Sequence, residues 1–206
     1  MNDPVFGPLI DARDVQRAVE ATLDKWIETY LAMVERLNEL DPRTLPAPES
    51  YVHKDDGTLD KRPEDQTPTI VILSPGTTGE ARMEGDGMYR ATWVVNVAAI
   101  VESADPGYVS ELAKLYNAVI RAALVQNGSL DGFAVSTRWR GERNDDLRSE
   151  ASRSLAAGTN VFEVTVKDVV QKGAGLRQPP ENPYEVAEPS TVDDVEVELK
   201  PEEITP

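Results

Sequence analysis

The sequence contains no cysteine and only one histidine, His53. Without cysteine the chain can form no disulfide, no thiolate nucleophile and no cysteine-ligated zinc site, which suits assembly in a reducing cytoplasm. No apolar run reaches the ~18 residues of a membrane span, and the start of the chain lacks the basic and apolar parts of a signal peptide. We therefore expect no membrane partner.

The sequence also lacks a catalytic or metal-binding cluster. His53 stands alone in a proline-rich connection, where a solvated loop residue is the expected role. The acidic pairs do not have the spacing of a calcium loop, which favours solvated charge: Asp55-Asp56, Asp145-Asp146 and Asp193-Asp194. The Ser74–Gly79 run resembles a phosphate loop in its glycines, but it has no Gly-Lys-Ser/Thr ending, and a plain turn is favoured. We predict no catalytic, cofactor or metal residues. A small hydrolase or nucleotide-binding enzyme built around Ser74–Gly79 is the alternative from another class.

Basic residues are scarce, since 21 lysines and arginines face 37 aspartates and glutamates, which gives a net charge of −16. The excess lies in the flanks, because residues 1–66 carry 15 acidic and 8 basic side chains and residues 171–206 carry 9 and 3. Affinity for nucleic acid comes largely from cations that neutralise phosphates. We therefore expect any DNA to pass without specific binding.

Two helices and four strands are predicted between Asp11 and Val170. Apolar residues at steps of three and four predict a long helix over Asp11–Leu40: Val15, Val19, Leu23, Trp26, Ile27, Tyr30, Leu31, Val34 and Leu37. Asp105-Pro106 opens a second helix, which Asn127-Gly128 closes. The β-branched and alternating runs predict strands: 69–73, Tyr89–Glu102, one holding Phe133 to Arg140, and Thr159–Val170. A short helix can fit within the charged stretch 141–158.

This order predicts an α+β fold with a mainly antiparallel, four-stranded ββαββ sheet, the long N-terminal helix and the second helix packed on it. We assign residues 1–170 to one domain that contains a proline-rich connection at 42–67. Residues 171–206 carry six prolines and few large apolar groups, which predicts an acidic tail. Within it, Val195, Val197 and Leu199 alternate with glutamates as a strand on a partner would. A solubilising tail without fixed contacts is the other interpretation.

Five arginines lie within sixteen residues, against the acidic trend: Arg138, Arg140, Arg143, Arg148 and Arg153. They can be a solvated strand and loop paired with nearby carboxylates. They can form a subunit interface that holds a neighbour's acidic segments, since arginine binds carboxylates bidentately. They can also face DNA. The acidic flanks of the same chain could supply carboxylates for these arginines, which favours the subunit interface more than an arginine cluster alone would.

Several of these runs carry a family resemblance. The helix contains LYNAVIRAAL from Leu115 to Leu124, and the last strand contains LAAGTNVFEVTV from Leu155 to Val166. Together with the N-terminal helix, the strand that ends near Ser74 and the strand with Trp139, they make the chain similar to the tail terminator (tail completion) proteins of long-tailed siphophages, especially those of actinobacteria. The similarity covers about residues 11–170, and the long 42–67 connection departs from it.

This resemblance implies a non-enzymatic virion protein at the head–tail junction, assembled in the host cytoplasm. It implies a hexameric ring that caps the tail tube, stops its elongation and forms the head-joining surface. The partners would be other copies of the chain, the tail tube protein and a neck or head-completion protein. The resemblance carries no catalytic or metal residues. A neck, head-completion or tail-tube protein of the same junction is the structural alternative.

Overall fold

The computed structural model describes residues 9–53, 67–147 and 154–170. The predicted 171–206 tail and part of the 42–67 connection thus lie outside the described residues. Within the described ranges the chain forms two α-helices, one short 3-10 helix and six strands. They are, in chain order, α1 (Ala12–Leu37), β1 (Ser50–His53), β2 (Thr69–Thr77), β3 (Arg82–Met83), β4 (Tyr89–Ser103), α2 (Pro106–Gln126), the 3-10 turn (Leu130–Gly132), β5 (Ser136–Leu147) and β6 (Ser154–Val166).

The strands form one mostly antiparallel sheet in the order β1-β2-β4-β6-β5, and β3 pairs with the start of β4. Among the described strands, only β1 and β2 pair in parallel. The α+β class with a mainly antiparallel sheet is confirmed, but the four-strand count is wrong. The predicted strands correspond to β2, β4, β5 and β6, while β1 arises in the predicted 42–67 connection and β3 in a stretch without a predicted element.

Local capping explains where both helices begin. The Asp11 side chain accepts hydrogen bonds from the backbone amides of Arg13 and Asp14. In return, the Asp14 carboxylate accepts a hydrogen bond from the Asp11 amide. At α2, Asp105 accepts from Gly107 and Tyr108, with Pro106 at the first helical position. These contacts satisfy amides that have no partner within the helix. Both predicted starts are confirmed.

The predicted end of α1 is three residues too late, because the helix stops at Leu37 and Glu39 takes a left-handed backbone with φ of 55°. Leu37 is 70% exposed and does not belong to the buried stripe. The stripe itself is confirmed from Val15 to Val34, with Trp26 half-buried beside it.

Both helices pack on one face of the sheet. Strand side chains alternate between faces, and the helix face carries the main core, with Val95, Val97 and Phe162 fully buried beneath α2 residues such as Tyr116 and Ile120. The opposite face holds a smaller buried cluster: Val71, Ala98, Ile100 and Ala157. No helical residue of the described ranges belongs to this second cluster. The core therefore lies between the helices and one side of the sheet.

The charged stretch 141–158 forms no helix in its described part. Instead β5 continues to Leu147 and β6 begins at Ser154, paired from Ser136↔Thr165 to Leu147↔Leu155 with an irregularity between Trp139 and Gly141. An outer strand exposes one edge and one face to water, so charged residues suit it. The charge that indicated a loop here belongs to the outer strand of the sheet.

The first part of the proline-rich connection is packed. Leu45 is buried and its amide donates to the Glu35 carboxylate over 2.7 Å. The Tyr116 hydroxyl donates to the Pro46 carbonyl oxygen. Glu35 and Tyr116 thus fix the chain before it enters β1, which places β1 beside β2 at the edge of the sheet.

Candidate functional site

The described arginines of the predicted interface come together on β5. Arg138 pairs across the sheet with Glu163, and Arg143 with Thr159, which places both on the face away from the helices. Arg140 stands at the irregularity and its Nε reaches Glu163 Oε1 at 3.4 Å. Arg143 Nε lies 3.2 Å from Asp145 Oδ2, whereas Arg138 forms no ion pair within the described residues. Their side chains remain largely in water, with Arg140 59% and Arg143 68% exposed.

The other predicted interface residues cannot be placed. Arg148 and Arg153 lie outside the described residues, as do Val195, Val197 and Leu199. The assignment of all eight residues to a subunit interface stays a prediction.

A shallow groove of about 590 Å³ runs beside β5 on the helix face, between this strand and the second half of α2. It is lined by Arg121, Ala122, Val125 and Gln126 of α2 and by residues 137–140 of β5. Trp139 is 41% exposed and Val125 is 48% exposed. Tryptophan and arginine are enriched in protein interfaces. The groove therefore has the composition of a contact surface.

Trp139 is held at the groove by two contacts. Its indole Nε1 donates to Asn160 Oδ1 over 2.9 Å, and the Arg121 guanidinium lies 5.0 Å from the ring centroid. Arg121 in turn pairs with Glu142 over 2.6 Å. A cation above an indole ring is attracted by the electron-rich face. The half-exposed ring thus has a fixed orientation, which sequence reasoning missed because Arg121 and Trp139 lie on different elements.

Asparagines connect this tryptophan to α2. Asn160 is fully buried and its Nδ2 donates to the Asn117 backbone oxygen at 3.1 Å and to Asn117 Oδ1 at 2.9 Å. Asn117 Nδ2 in turn donates a hydrogen bond to Asn144 Oδ1 over 2.9 Å. Buried amides need such partners to offset their lost hydration. The chain of bonds ties β5, β6 and α2 together beneath the groove.

The Ser74–Gly79 run is not the plain turn that the sequence favoured. β2 continues through Thr77, with Gly76 opposite Val94 and a shift of register after Leu73. The Ser74 hydroxyl is nearly buried and donates to the Val94 carbonyl oxygen over 2.9 Å. Its bond closes the irregularity in the strand, so the serine has a structural role here.

His53 is exposed, as expected, but it lies in a strand and not in a loop. It lies at the end of β1, where its Nε2 is 2.8 Å from Glu20 Oε2 of α1. Among the described contacts no hydrogen bond joins His53 to Ser74. The acidic pairs at 55–56 and 193–194 fall outside the described residues, and in the described ranges no group of three or more potential ligands converges on a metal position.

Ionisation is altered at a few buried or capping groups. Burial raises the pKa of Tyr116, as it does that of Tyr51. The hydrogen bond from Arg13 is the main cause that lowers the pKa of the Asp11 carboxyl. These groups serve packing and capping, and none lines the groove. No described helix is both long and apolar enough to cross a membrane.

Comparison with known proteins gives little beyond a distant likeness. No protein-family model matches the chain, and no curated protein matches it. One similar solved structure is a chain of the "Virion of native gene transfer agent (GTA) particle", with 16% identity, a TM-score of 0.38, and coverage of 65% of this chain and 91% of that chain.

Proposed function

We propose that this chain is a non-enzymatic structural subunit of a phage virion, at the head-proximal end of the tail. The observation that carries the proposal is the outer strand β5. It combines exposed Arg138 and Arg143 on one face, and Arg140 at the irregularity, with a half-exposed, oriented tryptophan on the other face. Such a surface suits contact with another protein chain, because aromatic and arginine anchors dominate interface energetics.

The placement at the head-proximal end of the tail rests on the sequence segments that resemble tail terminator proteins. Residues 115–124 form most of the buried face of α2, and residues 155–166 form β6. These are the segments that pack against each other under the groove, through Asn117 and Asn160. The two sequence segments thus determine how the β5 surface is built. This supports the proposal that the chain uses this surface as tail terminator proteins would.

The proposed mechanism is saturation of the tube end. Copies of the chain close into a ring, which we expect to be six-fold because the resembled family forms hexamers. One face of the ring matches the last ring of the tail tube protein, and the other lacks the surface for adding a further tube ring. Elongation then stops, and the exposed face receives the neck or head-completion protein. Closed symmetry limits growth without any covalent step.

Genetic removal of this protein from the phage that encodes it tests the proposal. Electron microscopy of the resulting particles should show overlong or unjoined tails beside filled heads. Supplying the wild-type chain in trans should restore normal length. Tails of normal length that fail to attach would favour the neck or head-completion role, and missing tails would favour a tube protein.

An enzyme built around Ser74–Gly79 predicts a different outcome. Ser74→Ala would abolish its activity while tails keep their length and join heads. The structural proposal expects that Ser74→Ala changes at most the stability of the sheet, since the hydroxyl binds the Val94 carbonyl oxygen. Normal, joined tails without the protein would refute the structural role.

A further inference from the structure

The outer edge of β5 is available for pairing. β5 bonds to β6 along one side, and no strand among the described residues pairs with its other side. Such an edge presents backbone N–H and C=O groups that can take an added strand. We propose that residues 193–199 add to this edge, with their valine and leucine side chains over the groove and their two glutamates beside the arginines.

The helix side of β5 suits apolar side chains. Trp139 and Val125 are both about half exposed there, and Ala122 of α2 also lines the groove. A strand added to β5 would direct every second side chain towards this groove. Val195, Val197 and Leu199 occupy such alternate positions. Covering Trp139 and Val125 would remove apolar surface from water, which favours binding.

The opposite side of β5 suits carboxylates. Arg138 has no ion-pair partner among the described residues, and Arg140 and Arg143 are exposed although each has one carboxylate nearby. Glu196 and Glu198 alternate with the apolar residues of the segment. They would therefore lie on the arginine side whenever the apolar residues lie over the groove. From Val195 to Leu199, both faces of the segment therefore match both faces of the strand in one orientation.

The chain is long enough to make this contact on a neighbouring copy. The last described residue, Val170, accepts from the Tyr89 amide at the start of β4. Residues 171–192 can extend to ~70 Å, while a domain of about 150 residues has a radius of gyration of about 15 Å. The segment can thus reach β5 of its own copy or of an adjacent one. In a ring, the second arrangement would link subunits.

This inference deepens the proposed function, since a segment bound to β5 of a neighbouring copy would link the subunits of the ring, but its chemistry requires only the chain itself. Its test therefore uses the purified full-length protein and no phage. A failed test would leave the tail-length experiment unaffected, and normal tails in that experiment would not alter where the segment binds.

Photocrosslinking in the full chain tests the contact. The photoreactive residue p-benzoylphenylalanine replaces Val197 in one preparation and, in a control, Val186, which lies before the segment within residues 171–192. Mass spectrometry then locates the crosslinks. We expect Val197→p-benzoylphenylalanine to react with the α2 and β5 residues of the groove, and the control to give no such product. Mixing ¹⁴N- and ¹⁵N-labelled copies shows whether the donor is the same chain or its neighbour, and either result places the segment on β5.

Charge reversal makes the test specific. Arg138→Glu with Arg140→Glu should lower the crosslink yield about tenfold, as should Glu196→Lys with Glu198→Lys, because each puts like charges together. Combining all four changes should restore most of the yield. The arginine side chains are exposed, so these variants should fold. Crosslinks at the Val71–Ile100 cluster on the opposite face, crosslinks without a preferred site, or a yield unaffected by the reversals would overturn the proposal.

Discussion

Gly158 of β6 lies directly against Asn117 of α2. A Cβ added at Gly158 would meet Asn117 Cγ at 2.8 Å and the Ala113 carbonyl oxygen at 2.5 Å. Real Cβ atoms do not approach a backbone oxygen so closely, so the helix can pack at this distance only over a glycine. The same approach brings Asn117 within hydrogen-bonding distance of Asn160. Gly158 therefore sets the spacing on which the β5 surface depends.

Gly158→Ala should destabilise the protein by about 1–3 kcal/mol, because α2 or β6 must move to admit the methyl group. Gly141→Ala is the matched control, since a Cβ there meets nothing within 4 Å and the change should cost no more than about 0.5 kcal/mol. Urea unfolding followed by circular dichroism measures both. Equal free energies of unfolding for the two variants would contradict the close packing of α2 on Gly158.

Asn160→Asp should lower the free energy of unfolding much more than its small change in size implies. The amide nitrogen that donates to two oxygens of Asn117 would become a carboxylate oxygen facing them, within a fully buried site. We expect a loss of about 3 kcal/mol or more at neutral pH. Because burial raises the pKa of an aspartate, the loss should shrink as the pH falls towards that raised value.

Asn144→Asp is the control for this substitution. Asn144 is exposed and uses its Oδ1 to accept from Asn117, a role that a carboxylate oxygen keeps. Its free energy of unfolding should stay within about 0.5 kcal/mol of the wild type. Similar losses for Asn144→Asp and Asn160→Asp would show that the buried network does not distinguish donor from acceptor.

The elements that the sequence predicted well are those with local signals. α1 and α2 have a helical apolar period, and each begins at an aspartate, Asp11 or Asp105, that caps the helix in the structure. β4 and β6 carry their own β-branched, apolar patterns. Such signals depend on neighbours in the chain, so they can be read without the fold.

The elements that the sequence missed or predicted too short depend on distant partners. β1 is four residues long and owes its strand conformation to pairing with β2 across the connection. β5 is charged because it lies at an edge, and its extension past Gly141 follows from pairing with β6. The groove was missed for the same reason, since Arg121 and Trp139 meet only after α2 packs on the sheet. The arginine cluster was visible because its members are close in sequence.

Stability should fall in alkali because of Tyr116 and Tyr51. Burial raises the pKa of both above the ordinary value of 10.0. Below pH 10 both states keep the proton and stability is fully present. Above it the unfolded chain loses the proton first, so the free energy of unfolding should decrease by up to about 1.4 kcal/mol per pH unit for each tyrosine.

Tyr116→Phe should separate the contribution of the Tyr116 hydrogen bond to stability from the contribution of its ionisation. It removes the hydrogen bond to the Pro46 carbonyl oxygen, which should cost about 1 kcal/mol at neutral pH, and it should also reduce the alkaline slope. Tyr51→Phe should reduce the slope similarly. Denaturant unfolding between pH 8 and 11 measures these values. A slope unchanged in both variants would mean that other groups cause the alkaline loss.

The purified chain should not bind duplex DNA at about 0.15 M salt. Its net charge of −16 repels phosphates. Of the three exposed arginines described on β5, Arg140 and Arg143 already lie beside the carboxylates of Glu163 and Asp145. Mobility-shift assays with a random duplex of about 30 base pairs should show free DNA for the wild type and for a variant carrying Arg138→Glu, Arg140→Glu and Arg143→Glu. A shift with the wild type that this variant abolishes would instead assign the arginines to DNA, and would contradict their use at a subunit contact.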